Sequence, residues 1–257
     1  MQPIISVALL PKLLPSGWAQ AESVAVVIDT LRFTSTACVA LAAGAKAITV
    51  VSDIEGAKRI AASLAGNSRL CGERSCVRIP GFDLGNSPAE YTAPAVAGCE
   101  LVFSTTNGTV AVEAARPARE IILGSLLNRR AVCQWLFTAA RQPSRLEEAM
   151  HVWCLCAGTD GQVALEDVLT AGAIVQQLCC QDEPWQTGND ASLLALEAWK
   201  GVVSDAIPSA VVDRLRMAIG GRNLIDTGFE DDLSLVADLD ALAGVPRQST
   251  PGRFQLG

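Results

Sequence analysis

Five places in the chain bring together residue types that can do chemistry on an anionic substrate. The run "VAVVID" is apolar until Asp29, and Arg32 follows three residues later. An acid that closes an all-apolar strand is costly unless it is paired or holds a metal. "ELVFSTTNG" ends in Ser104, Thr105, Thr106, Asn107 and Gly108, and "EIILGSLLN" ends in Gly124, Ser125 and Asn128. "HVWCLCAGTDGQVALED" supplies Thr159 and Asp160 and then the adjacent acids Glu166 and Asp167. The fifth stretch, "CGERSCVRIPGFDLGNSP", carries Glu73, Arg74, Arg78, Asp83 and Asn86 among glycines and prolines. Carboxylates, guanidinium groups and backbone amides together are what a Mg²⁺-assisted phosphate site requires.

Each of these places also has an ordinary structural reading. Ser, Thr, Asn and Asp cap helices, and acids in a first helical turn complement the helix dipole. The joint occurrence of five such places is what favours chemistry. The choice of cation agrees with this: sixteen arginines stand against four lysines, and the planar guanidinium fork matches oxyanions better than an ammonium does.

The elements that must position these residues are legible as alternation. β-like runs "IISVALL", "VAVVID", "AITVVS", "ELVFST", "EIILGS" and "HVWCLC" are separated by helix-like segments such as "TSTACVALAAGA", "IEGAKRIAASLA" and "TVAVEAAR". That pattern predicts an α/β fold: a layered, largely parallel or mixed sheet flanked by helices. In such sheets ligands gather at the carboxyl ends of strands. Residues 71–88 show neither helical nor strand periodicity and read as a long binding loop. After residue 160 the chain becomes helix-rich. Leu165, Val168, Leu169, Gly172, Val175 and Leu178 make one apolar stripe, and shorter helices are expected near 189–200, 208–219 and 229–237. The whole chain, 1–257, reads as a single unit, with a subdivision near 142–150 as the alternative.

Composition narrows the function classes. Half of the 257 residues are apolar and 18% are charged, which excludes global disorder. A net charge of −7 argues against nucleic acid and anionic membranes as partners. No apolar run is long enough to span a bilayer, and "MQPIISVALLPK" has no basic leader, so a cytoplasmic location is expected. Nine cysteines, an odd number, do not suggest a disulfide framework. Cys38, Cys99, Cys133, Cys179 and Cys180 sit in apolar surroundings and read as core. One histidine, His151, rules out a His-rich zinc site.

The runs "VVIDTLRFTSTACVALAAGA", "CGERSCVRIPGFDLGNSPAEY", "STTNGT", "ILGSLLN", "CAGTDGQVALEDVLTAGAI" and "GRNLIDTGFEDDLSLVADLDALAGVP" resemble one family closely. It is the Mg²⁺-dependent 2-phosphosulfolactate phosphatases of coenzyme M biosynthesis, and the match extends from about Val26 to Pro246. The resemblance implies hydrolysis of (2R)-2-phospho-3-sulfolactate to sulfolactate and phosphate. It implies Mg²⁺ held by Asp29 with one or more of Glu73, Asp83, Glu166 and Asp167, and oxyanions met by Arg32, Arg74 and Arg78. Amides of Thr105–Gly108 and Gly124–Ser125 would form an anion nest, with Asn86 and Asn128 nearby. The alternatives are a phosphatase for another small phosphorylated hydroxy acid and a non-catalytic binder of a small anion. A homo-oligomer is left open.

This chain departs from the family pattern in places. Ser75 and Cys76 stand where a glycine pair often follows "GER". Val110 replaces an arginine, Gln162, Val163 and Ala164 replace Arg-Phe-Ser, and Thr170, Leu235 and Val236 occupy positions where cysteine is usual. The absent arginines put the hold on the substrate's sulfonate in question.

Overall fold

The computed structural model describes residues 2–19, 22–64, 66–142, 149–180, 184–203 and 208–257. The subdivision expected near 142–150 lies mostly outside these residues.

The sheet is built around β2 (Ser23–Ile28), in which every residue is buried. Val24, Val26 and Ile28 pack into one apolar cluster and Ala25 and Val27 into another. A strand covered on both faces needs a continuous apolar sequence rather than an alternating one, and "SVAVVI" provides it. Parallel to β2 on one side run β8 (His151–Cys156), β1 (Ile4–Ala8) and β9 (Gln186–Thr187); on the other runs β7 (Glu120–Gly124).

A second parallel set consists of β3 (Ala47–Val50), β6 (Glu100–Ser104) and β4 (Ser68–Arg74). The C-terminal hairpin, β10 (Pro246–Thr250) and β11 (Arg253–Leu256), joins the two sets. It runs antiparallel to β7 on one edge and to β3 on the other. With β5 (Val77–Arg78) at the edge, the described residues form one mixed sheet of eleven strands, in the order β5-β4-β6-β3-β11-β10-β7-β2-β8-β1-β9. Gly252, with φ of 73°, follows Pro251 in the hairpin turn, as a type II turn requires. The Arg253–Glu100 pair, at 2.5 and 2.9 Å, ties the hairpin to β6.

Helices cover both faces. α1 (Phe33–Ala42) and α4 (Gly108–Ala115) share a cluster with β2 and β6, and Phe33 meets Phe103 edge-on at 5.7 Å. α2 (Ile54–Ser63) and the short α3 (Ala93–Val96) flank the second set. α5 (Arg129–Ala140), α6 (Leu165–Cys179) and α7 (Asp190–Val203) cover the other face of the first set. α8 (Pro208–Met217), α9 (Ile219–Asp226) and α10 (Asp231–Val236) complete the helical part.

Two expectations need correction. α6 is not a one-striped surface helix: Glu166 to Val175 are buried on every side, because α7 closes over it. A Cβ on Gly172 would stand 2.0 Å from the Ala195 carbonyl oxygen, so only glycine permits that approach. Residues 71–88 are not wholly irregular. Cys71–Arg74 finish β4, and Arg74 pairs with Val77 across a two-residue turn. Ser75 and Cys76 form its tip with φ of 50° and 65°, the pair of left-handed residues that a tight hairpin asks for. The family's glycine pair would adopt these angles without steric cost.

All nine cysteines are free, and six are buried; Cys180, expected in the core, is exposed. No described helix is long and apolar enough to cross a membrane.

Candidate active site

Asp29 leaves the end of β2 and turns back under the start of α1, where Phe33 N–H reaches Oδ1 at 3.4 Å. α4 begins directly beside it. A Cβ on Gly108 would come within 2.7 Å of Asp29 Oδ2 and 2.5 Å of the Phe33 ring. Glycine at this position therefore lets a helix N-terminus, with its positive dipole end, close on the carboxylate.

Glu73, at the end of β4, faces the same space. Its Oε1 accepts from the N–H and hydroxyl of Thr106, both at 3.1 Å, and its Oε2 accepts from Cys76 N–H at 2.9 Å. Asp167 fastens two strand ends together, taking Thr30 N–H at 2.8 Å and Gly158 N–H at 2.9 Å. Glu166 lies under Gly220, where a Cβ would sit 2.0 Å from Oε1; its Oε2 is buried without a partner.

Arg32 is 3% exposed. It pairs with Asp232 at 2.8 Å, donates to the Cys76 carbonyl at 2.8 Å and stacks 4.4 Å above the Phe229 ring.

Two neighbouring chambers result. An inner one of about 40 Å³ is lined by Asp29, Leu31, Arg32, Glu73, Cys76, Asn86, Asn107, Thr159, Gly220 and Asn223. It shares Glu73, Cys76, Asn107, Thr159 and Asn223 with an adjoining outer one of about 450 Å³, where Arg74, Ser75, Thr106, Asp160, Asp226 and Thr227 join the lining. The inner volume suits an ion or a phosphoryl group, and the outer one a small organic body.

The electrostatics are dominated by buried acids. Burial, then the charges of Asp167, Glu73 and Glu166, push the Asp29 carboxyl well above the usual range. Burial and the neighbouring Asp167 push Glu166 up to about 8. Burial raises Asp167 to about 6 against the lowering effect of the Thr30 and Gly158 N–H groups. Such a cluster favours a bound cation, which would restore the charged forms. Among the described residues no three Asp, Glu, His or Cys side chains converge as a metal cage. Mg²⁺ does not need one: it commonly takes one or two carboxylates, waters and substrate phosphate. The orphaned Glu166 Oε2 and Asn86 Oδ1, both buried, leave acceptors for such a ligand shell.

Of the residues singled out in the sequence, Asp29, Arg32, Glu73, Asn86 and Asn107 line the inner chamber, and Arg74 and Thr106 the outer one. Thr105, Gly108, Glu166 and Asp167 stand directly behind. The others are elsewhere. Asp83 is exposed and accepts Leu70 N–H at 2.8 Å, and Arg78, on the edge strand β5, donates to the Asp83 carbonyl. Ser125 and Asn128 are fully buried and cap each other, Ser125 N–H donating to Asn128 Oδ1 at 2.9 Å. Gly124 is where it is for packing, since a Cβ would meet Val26 at 2.7 Å.

Three amides of the expected anion nest are already engaged. Thr106 N–H is taken by Glu73, Thr105 N–H by Thr109 Oγ1 at 3.4 Å, and Ser125 N–H by Asn128. In the "GNSP" stretch, Gly85–Pro88, Ser87 is the N-cap residue before Pro88, but its hydroxyl goes to Asp232 at 2.6 Å instead of capping.

Cys76, Gly220, Asn223, Asp226 and Asp232 carried no sequence-based role. The only signal for Asn223, Asp226 and Asp232 was their place in the block "GRNLIDTGFEDD".

Comparison with known proteins bears on the same residues. A family model described as 2-phosphosulpholactate phosphatase matches residues 8–251. A protein of Symbiobacterium thermophilum is 39% identical over 91% of this chain and 94% of its own length. One from Thermosynechococcus vestitus is 35% identical over 94% of both chains. One from Synechococcus sp. (strain CC9605) is 40% identical over 89% of this chain and 90% of its own. Each of the three carries the name probable 2-phosphosulfolactate phosphatase.

Proposed function

The chain belongs to the 2-phosphosulpholactate phosphatase family, and from that premise we propose that it hydrolyses a small phosphate monoester with Mg²⁺ as cofactor. The family name puts (2R)-2-phospho-3-sulfolactate first among substrates, with sulfolactate and inorganic phosphate as products. The observation that carries the reading is the inner chamber, where Asp29, Glu73 and Arg32 meet in about 40 Å³ beside a larger cavity.

Asp29 and Glu73 are the residues to hold Mg²⁺, with Glu166 and Asp167 adding negative charge behind them. When bound, the ion would offset charge on the phosphoryl oxygens and orient them. Arg32 has five N–H donors, and those not given to Asp232 and Cys76 are available to a phosphoryl oxygen. Arg74 faces the organic part in the outer chamber. Asp29 either takes the proton of an attacking water or attacks phosphorus itself; the stereochemical course at a chiral phosphorus, inversion for direct attack by water and retention for a phospho-Asp29 intermediate, separates the two. Phosphate release from the sulfolactate ester, present with Mg²⁺ and abolished by EDTA, tests the proposal. Turnover unchanged in excess EDTA would refute the metal.

One observation favours a second reading, a phosphorylated hydroxy acid without the sulfonate. Among the described residues, Arg74 is the only basic one lining the outer chamber, against Glu73, Asp160 and Asp226. Matching a carboxylate and a sulfonate there asks much of one guanidinium. A panel of phosphorylated hydroxy acids with and without the second acidic group decides between the two by kcat/KM.

A further inference from the structure

Asp232 touches neither chamber, yet three residues of the inner lining depend on it. Its Oδ2 holds Arg32 at 2.8 Å, and its Oδ1 accepts the Ser87 hydroxyl at 2.6 Å. Ser87 directly follows Asn86, whose Oδ1 is buried without a partner. Arg32 in turn donates to the carbonyl of Cys76, the hairpin tip whose N–H binds Glu73. One carboxylate at 2% exposure therefore links the start of α1, the "GNSP" loop and the β4–β5 hairpin. The partners lie 200 and 145 residues away in sequence.

The Arg32 guanidinium is fixed in plane as well as place, by Asp232 at its edge and Phe229 across its face at 4.4 Å. A donor fixed before the ligand arrives needs no reorganisation when charge develops. Resting on the phosphatase reading above, we infer that Asp232 is a positioning residue for the reaction: it aims Arg32 at the phosphoryl group and orders the loop bearing Asn86.

The test uses Asp232→Asn, which keeps shape and removes charge, with inorganic phosphate as the probe. In the presence of Mg²⁺, the dissociation constant of phosphate should rise at least about tenfold, about 1.4 kcal/mol. kcat should fall in step, and adding Asp232→Asn to Arg32→Lys should cost little beyond Arg32→Lys alone, because one acts through the other. A folded Asp232→Asn protein with a lowered melting temperature but parental phosphate affinity and kcat would overturn the inference.

Should that variant not fold, Asp232→Glu, which keeps the charge and Arg32 but moves the carboxylate by one methylene, replaces it. Weakened phosphate binding by the folded Asp232→Glu protein supports the inference, and parental binding overturns it. If the parent binds phosphate but hydrolyses no monoester, the phosphatase reading falls and the binding comparison still judges Asp232. If the parent does not bind phosphate, the inference itself fails.

Discussion

Two buried carboxylates, Asp29 and Asp240, show opposite treatments of the same chemical group. Asp240 is the end of a structural strut. It accepts from Arg129 Nε at 3.2 Å, from the Arg129 terminal nitrogen at 2.5 Å and from Arg130 N–H at 2.8 Å, pinning the segment after α10 to the start of α5. Burial alone would raise its pKa, but the Arg129 and Arg130 contacts together outweigh burial and hold it below the usual range. Asp29 receives no such compensation: burial and three neighbouring acids drive its pKa up. On the proposed function, the difference separates a charge kept for the fold from charges kept for a ligand. Where the protein alone must satisfy a carboxylate it supplies arginines, and where a cation is expected it supplies more carboxylates.

That contrast can be broken experimentally, beginning with the largest effect. Asp29→Asn should lower kcat at least about 100-fold, on the scale of one lost catalytic electrostatic contact. The melting temperature of the metal-free protein should not fall, because the variant also removes a destabilising charge. Steady-state rates and a thermal melt on the same sample check both parts. Asp240→Ala should do the reverse, costing about 2 kcal/mol of stability by leaving its arginines unpaired, with kcat/KM unchanged. Denaturant titration together with kinetics measures it.

Arg74→Lys sharpens the comparison at the rim of the site. The guanidinium reaches the Glu73 and Ser104 carbonyls and the Ser104 hydroxyl at 2.7–3.1 Å, and a lysine cannot span all three. A fall of about tenfold in kcat/KM is expected. A smaller effect concerns pH. Folded pKa values above unfolded ones mean that the folded chain binds more protons in that window. Asp29, Glu166 and Asp167 therefore make stability fall as pH rises from about 4 towards about 8. Mg²⁺ should raise the melting temperature more at pH 8 than at pH 5.5, by a few degrees at about 2–4 °C per kcal/mol. Scanning calorimetry with and without the ion, repeated on Asp29→Asn, isolates the cluster. Arg78→Ala should change least, within about 0.5 kcal/mol of stability and with parental kcat/KM, because Arg78 lies outside both chambers.

The sequence by itself determined the local elements. "VAVVID" read as a buried strand, as β2 is, and an acid at its end had to be compensated or used. Strand-end residues such as Asp29, Asn107 and Thr159 were therefore visible before any coordinates, as was the helical C-terminal part. Local pattern could not reveal which polar strand ends face one another. Ser125 and Asn128 have the same composition as a binding turn, yet they cap each other in the core, because nothing local distinguishes a buried capping box from an open one. Asp83 and Arg78 belong to the same block as Glu73, but β4 ends in a two-residue hairpin that sends them to the sheet edge. The C-terminal hairpin has weak apolar alternation and exists because its partners β3 and β7 offer it open ladders. Asp232 and Asn223 had no local signal of chemistry at all. They become part of the site only when α9 and α10 pack over the strand ends, a pairing across about two hundred residues that no sequence period encodes.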